Sequence, residues 1–190
     1  MQKTYFEEMV FEHRDFTANT LAAGEYEKCK FIQCDFSNTI LSGTDFSDCF
    51  FESCNLSSAT FSNTAFKGIQ FKDCKLLGLH FEHCNQFIFN VGFENSNLQL
   101  CSFYKLKLKK TKFSNSLLLE VDFTETDLTS AVFDDCDLAG TTFYNSILEK
   151  TDFRTACNYT IDPDRNKIKK AKFSRDGIAG LLSKYDIDLS

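Results

Sequence analysis

Apolar residues recur along this chain at every fifth position. The series runs from Phe6 through Phe11, Phe16, Leu21, Tyr26 and Phe31 to Phe81. It then shifts by two residues and resumes from Phe93 to Phe153. It holds 16 plus 13 positions without one polar residue. At 43% apolar composition, chance would produce this with a probability on the order of 10⁻¹¹. A period of five fits neither a helix at 3.6 residues nor a strand at two. The chain must therefore turn inward once in every five residues. The residue two before each apolar centre is small in most repeats, as in Thr44-Asp45-Phe46, Ala131-Val132-Phe133 and Cys136-Asp137-Leu138. Each repeat thus reads small-x-(Phe/Leu)-polar-polar.

This pattern, over about residues 4–155, resembles the pentapeptide-repeat family, whose motif is A(D/N)LXX. The resemblance implies an all-β solenoid, a right-handed quadrilateral β-helix in which each pentapeptide forms one side and four make a coil. The centre residue then fills the axis, and the small residue packs beneath the next corner. Equivalent centres stack 20 residues apart at about one strand spacing, roughly 4.8 Å. About seven coils would make a rod on the order of 35 Å long. Backbone hydrogen bonds between coils leave open edges at both ends, and these need caps. The first coil is irregular, with Met9, Arg14 and Asn19 at small positions, as a solenoid end should be.

The repeat accounts for the composition. Of the 22 phenylalanines, 19 fall on the centre positions once Phe173 is counted. Seven of the nine cysteines, Cys29, Cys34, Cys49, Cys54, Cys74, Cys101 and Cys136, occupy small positions, and Cys84 would join them if the first phase ran on. They read as small buried thiols. His80, His83 and Cys84 lie close together, with Cys74 nearby, but no CxxC pair or zinc-type spacing accompanies them. No metal or other cofactor is expected. No glycine-rich phosphate loop appears, and no histidine sits beside a convincing Ser or Cys nucleophile with an orienting acid, so the chain reads as non-enzymatic. No apolar run nears the roughly 18 residues a membrane span requires. The chain reads as soluble and cytoplasmic, and its net charge of −6 argues against direct nucleic-acid binding.

Function is then expected where the repeat breaks. Residues 1–155 form the repeat body, with the two-residue phase break at 84–92. Ile88 is expected on the axis there, with Phe87 and Phe89 pointing outward as a contact patch. Residues 156–190 hold a linker with Pro163, a last repeat at Ala171-Lys172-Phe173, and a helix. Ile178, Leu181, Leu182 and Tyr185 fall at i, i+3, i+4 and i+7 of that helix. The tail resembles the C-terminal element of the Qnr/MfpA-type gyrase-interacting branch, which implies a cap and a two-fold homodimer.

Charge is uneven. Residues 113–148 carry Glu120, Asp122, Glu125, Asp127, Asp134, Asp135 and Asp137 and no base, whereas Lys105, Lys107, Lys109, Lys110 and Lys112 precede them. Gyrase-interacting family members are duplex-DNA mimics. The resemblance implies that the acidic block forms a partner-binding surface along one side of the rod, fitted to a basic saddle on DNA gyrase or topoisomerase IV. The lysine-rich middle and the lack of long projecting loops depart from that branch. The alternative is a rigid scaffold for another protein partner. Asp before the axis residue is also a feature of the repeat itself.

Overall fold

The computed structural model describes residues 4–185, 187 and 188. The chain winds into a four-sided parallel β-helix. Side 1 begins with strands Thr4–Glu7, Gly24–Glu27 and Asp45–Ser47, paired in parallel at a spacing of 20 residues. Side 2 begins with Val10–Glu12, Lys30–Ile32 and Phe50–Glu52, paired in the same way. Sides 3 and 4 have no continuous strands. They are joined by single parallel bridges, such as Asp15↔Asp35 on side 3 and Ile40↔Thr60 on side 4. Side 2 continues through nine coils to strand Lys172–Phe173, so the rod is about eight turns long, one more than expected.

Packing explains why the repeat tolerates no polar centre. Of the 29 centre residues, all are buried except Phe6 and Phe11, which are half-buried at the start of the first described coil. On side 2 every centre is phenylalanine. Consecutive rings from Phe11 to Phe173 stack with centroids 4.7–5.5 Å apart. That distance follows from the coil spacing of about 4.8 Å, which forces rings one coil apart into offset stacks. Burying each ring contributes roughly 2–3 kcal/mol.

The small position is more than a steric allowance. Its hydroxyl or thiol donates to the carbonyl of the centre residue one coil earlier. Thr64 Oγ1 reaches the Leu41 carbonyl at 2.8 Å, Thr126 the Phe103 carbonyl at 2.8 Å and Cys54 Sγ the Phe31 carbonyl at 3.3 Å. This explains a preference for Ser, Thr and Cys that small size alone would not.

The last residue of most repeats turns the corner in the left-handed region. Glu8, Lys28, Asn38, Leu100 and Lys150 are among the non-glycine residues with φ near +55°, and Gly43, Gly68, Gly78 and Gly140 take the same place. Each L-residue held there costs about 1–2 kcal/mol, which the packed axis must offset.

The ends differ. At the first coil Tyr5, Met9 and Val10 are exposed. At the far end the register changes by one residue: Asn158 turns outward and Tyr159 turns in, 5.7 Å from both Phe153 and Phe173. Short helical turns over residues 176–185 close over it. Gly180 lies so near Tyr159 that a Cβ would sit 2.2 Å from the Tyr159 carbonyl oxygen. In return the Gly180 carbonyl accepts the open-edge N–H of Ile161 at 3.0 Å. Lys184 anchors the segment to Asp162 at 2.7 Å and to Asp164.

Candidate interaction surfaces

The axis is filled from end to end, so any function falls on the sides and ends. The phase break lies on side 1. The ladder keeps its 20-residue spacing up to Asn85, whose N–H donates to the Thr64 carbonyl at 2.9 Å, and resumes at 22 with Ile69↔Val91. Between them a 3-10 turn, Gln86–Ile88, loops outward, with the Phe87 N–H accepted by the Asn85 side chain at 3.1 Å. Three successive apolar residues compete for the axis there, and Phe89 takes it, not Ile88. Phe89 packs against Phe66 and Phe81 with centroids 6.3 and 5.9 Å away. Ile88 is 46% exposed and Phe87 fully so. The expected outward pair Phe87/Phe89 is therefore Phe87/Ile88. Phe87 overhangs a groove of about 500 Å³ walled by Asn63, Gln86, Lys105 and Lys107.

The acidic block does not lie along one side. Asp122 and Glu125 are on side 4, Asp127 on side 1, Asp134 and Asp135 on side 2, and Asp137 and Glu120 on side 3. Consecutive residues wind around the rod, so a run of acids becomes a collar; a stripe requires charges 20 residues apart. Several of these carboxylates are also committed to the backbone. Asp122, Asp127 and Asp137 each accept the N–H two residues on, at 2.8, 3.1 and 3.1 Å. That Asx-type bond fixes the turn and explains Asp and Asn before the axis residue. Asp127 also pairs with Lys109 at 3.2 Å, and Glu125 with Lys105 at 3.5 Å. Glu120, Glu125 and Asp135 remain exposed.

Taken side by side, outward charges tell a different story. Sides 3 and 4 together carry nine acids (Asp15, Asp35, Glu120 and Asp137; Glu82, Asp122, Glu125, Asp162 and Asp164) against four bases, Arg14, Lys75, Lys105 and Arg165.

The tail stripe splits. Leu181 packs on the core and Leu182 is half-buried, whereas Ile178 and Tyr185 are exposed at 46% and 56%. His80 Nδ1 lies 2.9 Å from Glu82, and the His80 and His83 rings stack 5.5 Å apart. Among the described residues no three His, Cys, Asp or Glu are placed to hold a metal ion. Cys84 is buried, and burial pushes its thiol well up. Burial likewise raises Cys49, Cys101 and Cys136 to about 12. Cys74 is the exception, lowered by its contact with the Cys54 thiol. Cys157 alone of the nine is exposed. Among the described residues no helix is long and apolar enough to cross a membrane.

The fold and its surface define a class: a four-sided β-helix that presents side chains outward from a closed axis. The pentapeptide repeat region family matches residues 24–87 and 86–158 of this chain, which belongs to that family and has its right-handed quadrilateral β-helix. Among solved structures it is similar to full-length QnrB1, a plasmid-mediated fluoroquinolone resistance protein. The TM-score is 0.62 at 18% identity, covering 97% of this chain and 100% of that one. A trypsin-treated variant of QnrB1 aligns with a TM-score of 0.64 at 18% identity, over 98% and 100% of the two chains. HetL, a pentapeptide-repeat protein involved in heterocyst differentiation regulation from the cyanobacterium Nostoc, aligns with a TM-score of 0.59 at 12% identity, over 92% and 88%. At these identities the likeness is one of fold. No curated protein sequence matches the chain.

Proposed function

We propose that this protein is a rigid protein-binding rod that acts through its sides and performs no chemistry of its own. The observation that carries this reading is the closed axis: centre residues from Phe16 to Phe153 are buried against one another, and the grooves that remain are shallow surface features. Rigid backbone with variable outward residues is what an interaction scaffold needs, since little ordering entropy is lost on binding.

A second reading makes the partner DNA gyrase or topoisomerase IV, with the rod standing in for duplex DNA. It is favoured by the likeness to QnrB1 over nearly the whole chain and by the acidic excess on sides 3 and 4. Such a mimic would present those two sides, because side 1 carries both signs in bulk. Purified gyrase is the test. Micromolar protein should restore supercoiling in the presence of ciprofloxacin, and Asp122→Lys with Glu125→Lys should abolish the effect. Neither binding nor protection would sink the gyrase reading. The scaffold reading fails if a partner cross-linked in cells is still held after charge reversal on each of the four sides in turn.

A further inference from the structure

The repeat places polar residues outside the axis, and side 3 breaks that rule in one region. Leu77, Leu100, Leu117 and Leu119 stand on three successive coils of it. The ladder makes them neighbours. Asn97 bridges Leu117, the Leu100 N–H reaches the Leu119 carbonyl at 3.0 Å, and the Gly78 N–H, next to Leu77, reaches the Gln99 carbonyl at 2.9 Å. Leu100 and Leu117 are exposed at 53% and 45%, and Leu77 and Leu119 are half-buried. None of the four packs into the axial core.

Two of these leucines stand where the fold favours other residues. Leu100 turns a corner at φ +61°, and of the 23 described non-glycine residues in that left-handed region it alone is apolar. Glycine or asparagine takes such a corner at less cost. Leu117 occupies the place at which Asp15, Asp35, Asn55, Asn97 and Asp137 of the same side accept the N–H two residues on, at 2.8–3.2 Å. A leucine accepts nothing, so the Leu119 N–H goes without that bond. Local rules broken with no gain in packing point to a surface kept for contact.

Acids rim the patch. Glu120 holds the corner one coil above Leu100, Asp137 lies one coil above Leu117, and Asp73, Asp122 and Asp135 stand on the flanks. Glu120 and Asp135 are exposed and make no ion pair among the described residues. Lys75, at the lower edge, is the one base that side 3 carries on these coils, and Lys72 across the corner is paired with Glu52 at 3.9 Å.

We infer that the leucine patch of side 3 docks a partner-protein segment whose large apolar side chains are flanked by Lys or Arg. This rests on the reading of the rod as a protein-binding scaffold and gives that reading a face and a partner chemistry. The segment's apolar residues cover the leucines, and its cations meet Glu120, Asp135 and Asp137 at the border. A nucleic acid or an anionic membrane would bring negative charge to the same acids. A second copy has one basic apolar surface to offer, Phe87 and Ile88 beside Lys105 and Lys107. Laid parallel on side 3, that surface brings Glu25 and Glu27 against Asp35. Laid antiparallel, it brings Asp45 against Asp137 and Lys107 against Lys75.

The test is to pan a phage library of random peptides of about 15 residues, about four helical turns, against the full chain and to titrate the retained peptides. These should combine large apolar residues with Lys or Arg. Leu100→Asn with Leu117→Asn should lower their affinity on the order of tenfold or more. The same double variant should keep or raise the thermal midpoint, because asparagine suits the corner and can accept the Leu119 N–H. Ile40→Asn, at an apolar site 70% exposed on side 4, should leave binding unchanged. Glu120→Lys with Asp135→Lys should weaken binding in low salt, and its difference from wild type should vanish in about 1 M salt. Retained peptides that are acidic or lack cations overturn the inference, as does an affinity that ignores the two leucines. A fall in thermal midpoint on Leu100→Asn with Leu117→Asn makes the leucines structural and also overturns it. Self-association of the wild type that this variant abolishes assigns the patch to a second copy instead. Peptides lost only on charge reversal of another side sink the side 3 assignment and keep the scaffold reading. A chain that retains no peptide and no cross-linked partner sinks both.

Discussion

The coils below the side 1 insertion and those above it share one backbone and fill it differently. Below, each coil buries three aromatic rings and one leucine; Phe46, Phe51, Leu56 and Phe61 are an example. Above, two successive coils each bury two phenylalanines and two leucines: Leu108, Phe113, Leu118 and Phe123, then Leu128, Phe133, Leu138 and Phe143. The small positions change as well. Below they hold six of the eight buried cysteines, and above they are mostly Ser and Thr. A thiol is a weak donor. The lower half therefore leans on ring stacking, and the upper half on hydroxyl–carbonyl bonds such as Ser146 to Phe123 at 2.8 Å and Thr151 to Leu128 at 2.8 Å. One repeat has two solutions, and they should fail under different conditions.

Alkaline pH should separate the halves most strongly. Burial raises the thiols of Cys29, Cys49 and Cys84, and Cys34 is raised by the neighbouring Cys54 thiol and by burial. Tyr26, also below, is pushed to about 12 by burial. Above, only Cys101 and Cys136 are buried and raised. A raised thiol is neutral in the fold and ionises more readily when unfolded. Its contribution is complete below the ordinary thiol value of 9.0 and is lost as pH rises toward 12. Thiol-reagent accessibility followed from pH 8 upward should first find Cys157 alone, then the lower cysteines together, and Cys101 and Cys136 last. Simultaneous exposure of all nine would remove the distinction between halves.

Removing one ring is the next largest effect. Phe51 and Phe113 are both fully buried and stack within the same column. Either Phe→Ala change should cost about 3–5 kcal/mol. The cost depends on how far the surroundings collapse. Phe51 is edged by the rings of Phe36 and Phe46, and Phe113 by those of Phe103 and Phe123, but the adjoining centres along the coil are Phe46 and Leu56 beside Phe51 and two leucines, Leu108 and Leu118, beside Phe113. Denaturant unfolding should therefore place Phe51→Ala at the upper end and Phe113→Ala at the lower. Equal costs would mean that ring content does not set the rigidity of a coil.

The small positions give a finer contrast. Thr126→Val keeps shape and removes a donor that reaches Phe103 at 2.8 Å. It should cost about 1–2 kcal/mol. Cys54→Ser keeps a donor and shortens its reach, and should change stability by less than about 1 kcal/mol. A Cys54→Ser loss as large as that of Thr126→Val would show that sulfur packing, not donation, holds the lower half.

What could be read from the chain beforehand follows from which constraints are local. Phe6 to Phe153 sit on the axis because a five-residue period admits no other inward set, and the same holds for Cys84 at its small position. The insertion was legible in place but not in detail. Phe87, Ile88 and Phe89 are all apolar, and only the 3-10 turn capped by Asn85 decides that Phe89 points in. Tyr159 replaces Asn158 on the axis because the chain must close against Gly177 and Gly180, a contact made 20 residues away. Surface function was the least legible part. Glu120 to Asp137 look like one patch along the chain and are a collar in space. Glu7 and Lys169, far apart in sequence, lie on the same side.

The smallest effect concerns two aspartates that do the same work by different means. Asp152, above, accepts the Arg154 guanidinium at 2.8 and 2.9 Å and Lys172 of the next coil at 3.2 Å, and these cations hold its carboxyl well below the usual carboxylate range. Asp15, below, is lowered by the Thr17 hydroxyl at 2.6 Å and the Thr17 N–H at 2.9 Å. Both depressed groups favour the fold above the ordinary value of 3.8 and lose that contribution as pH falls through their folded values. Ion pairs are screened by salt, and hydrogen bonds to neutral donors are screened far less. Carboxyl titration by NMR should show Asp152 moving up toward its ordinary range in about 1 M salt while Asp15 stays put. Arg154→Ala should shift Asp152 in the same direction with little change in stability, as for an exposed pair, and with fraying confined to strand Lys172–Phe173. If salt moved Asp15 and Asp152 together, the corner bond of the repeat would be the dominant cause at both sites, and at this position the two halves would be the same.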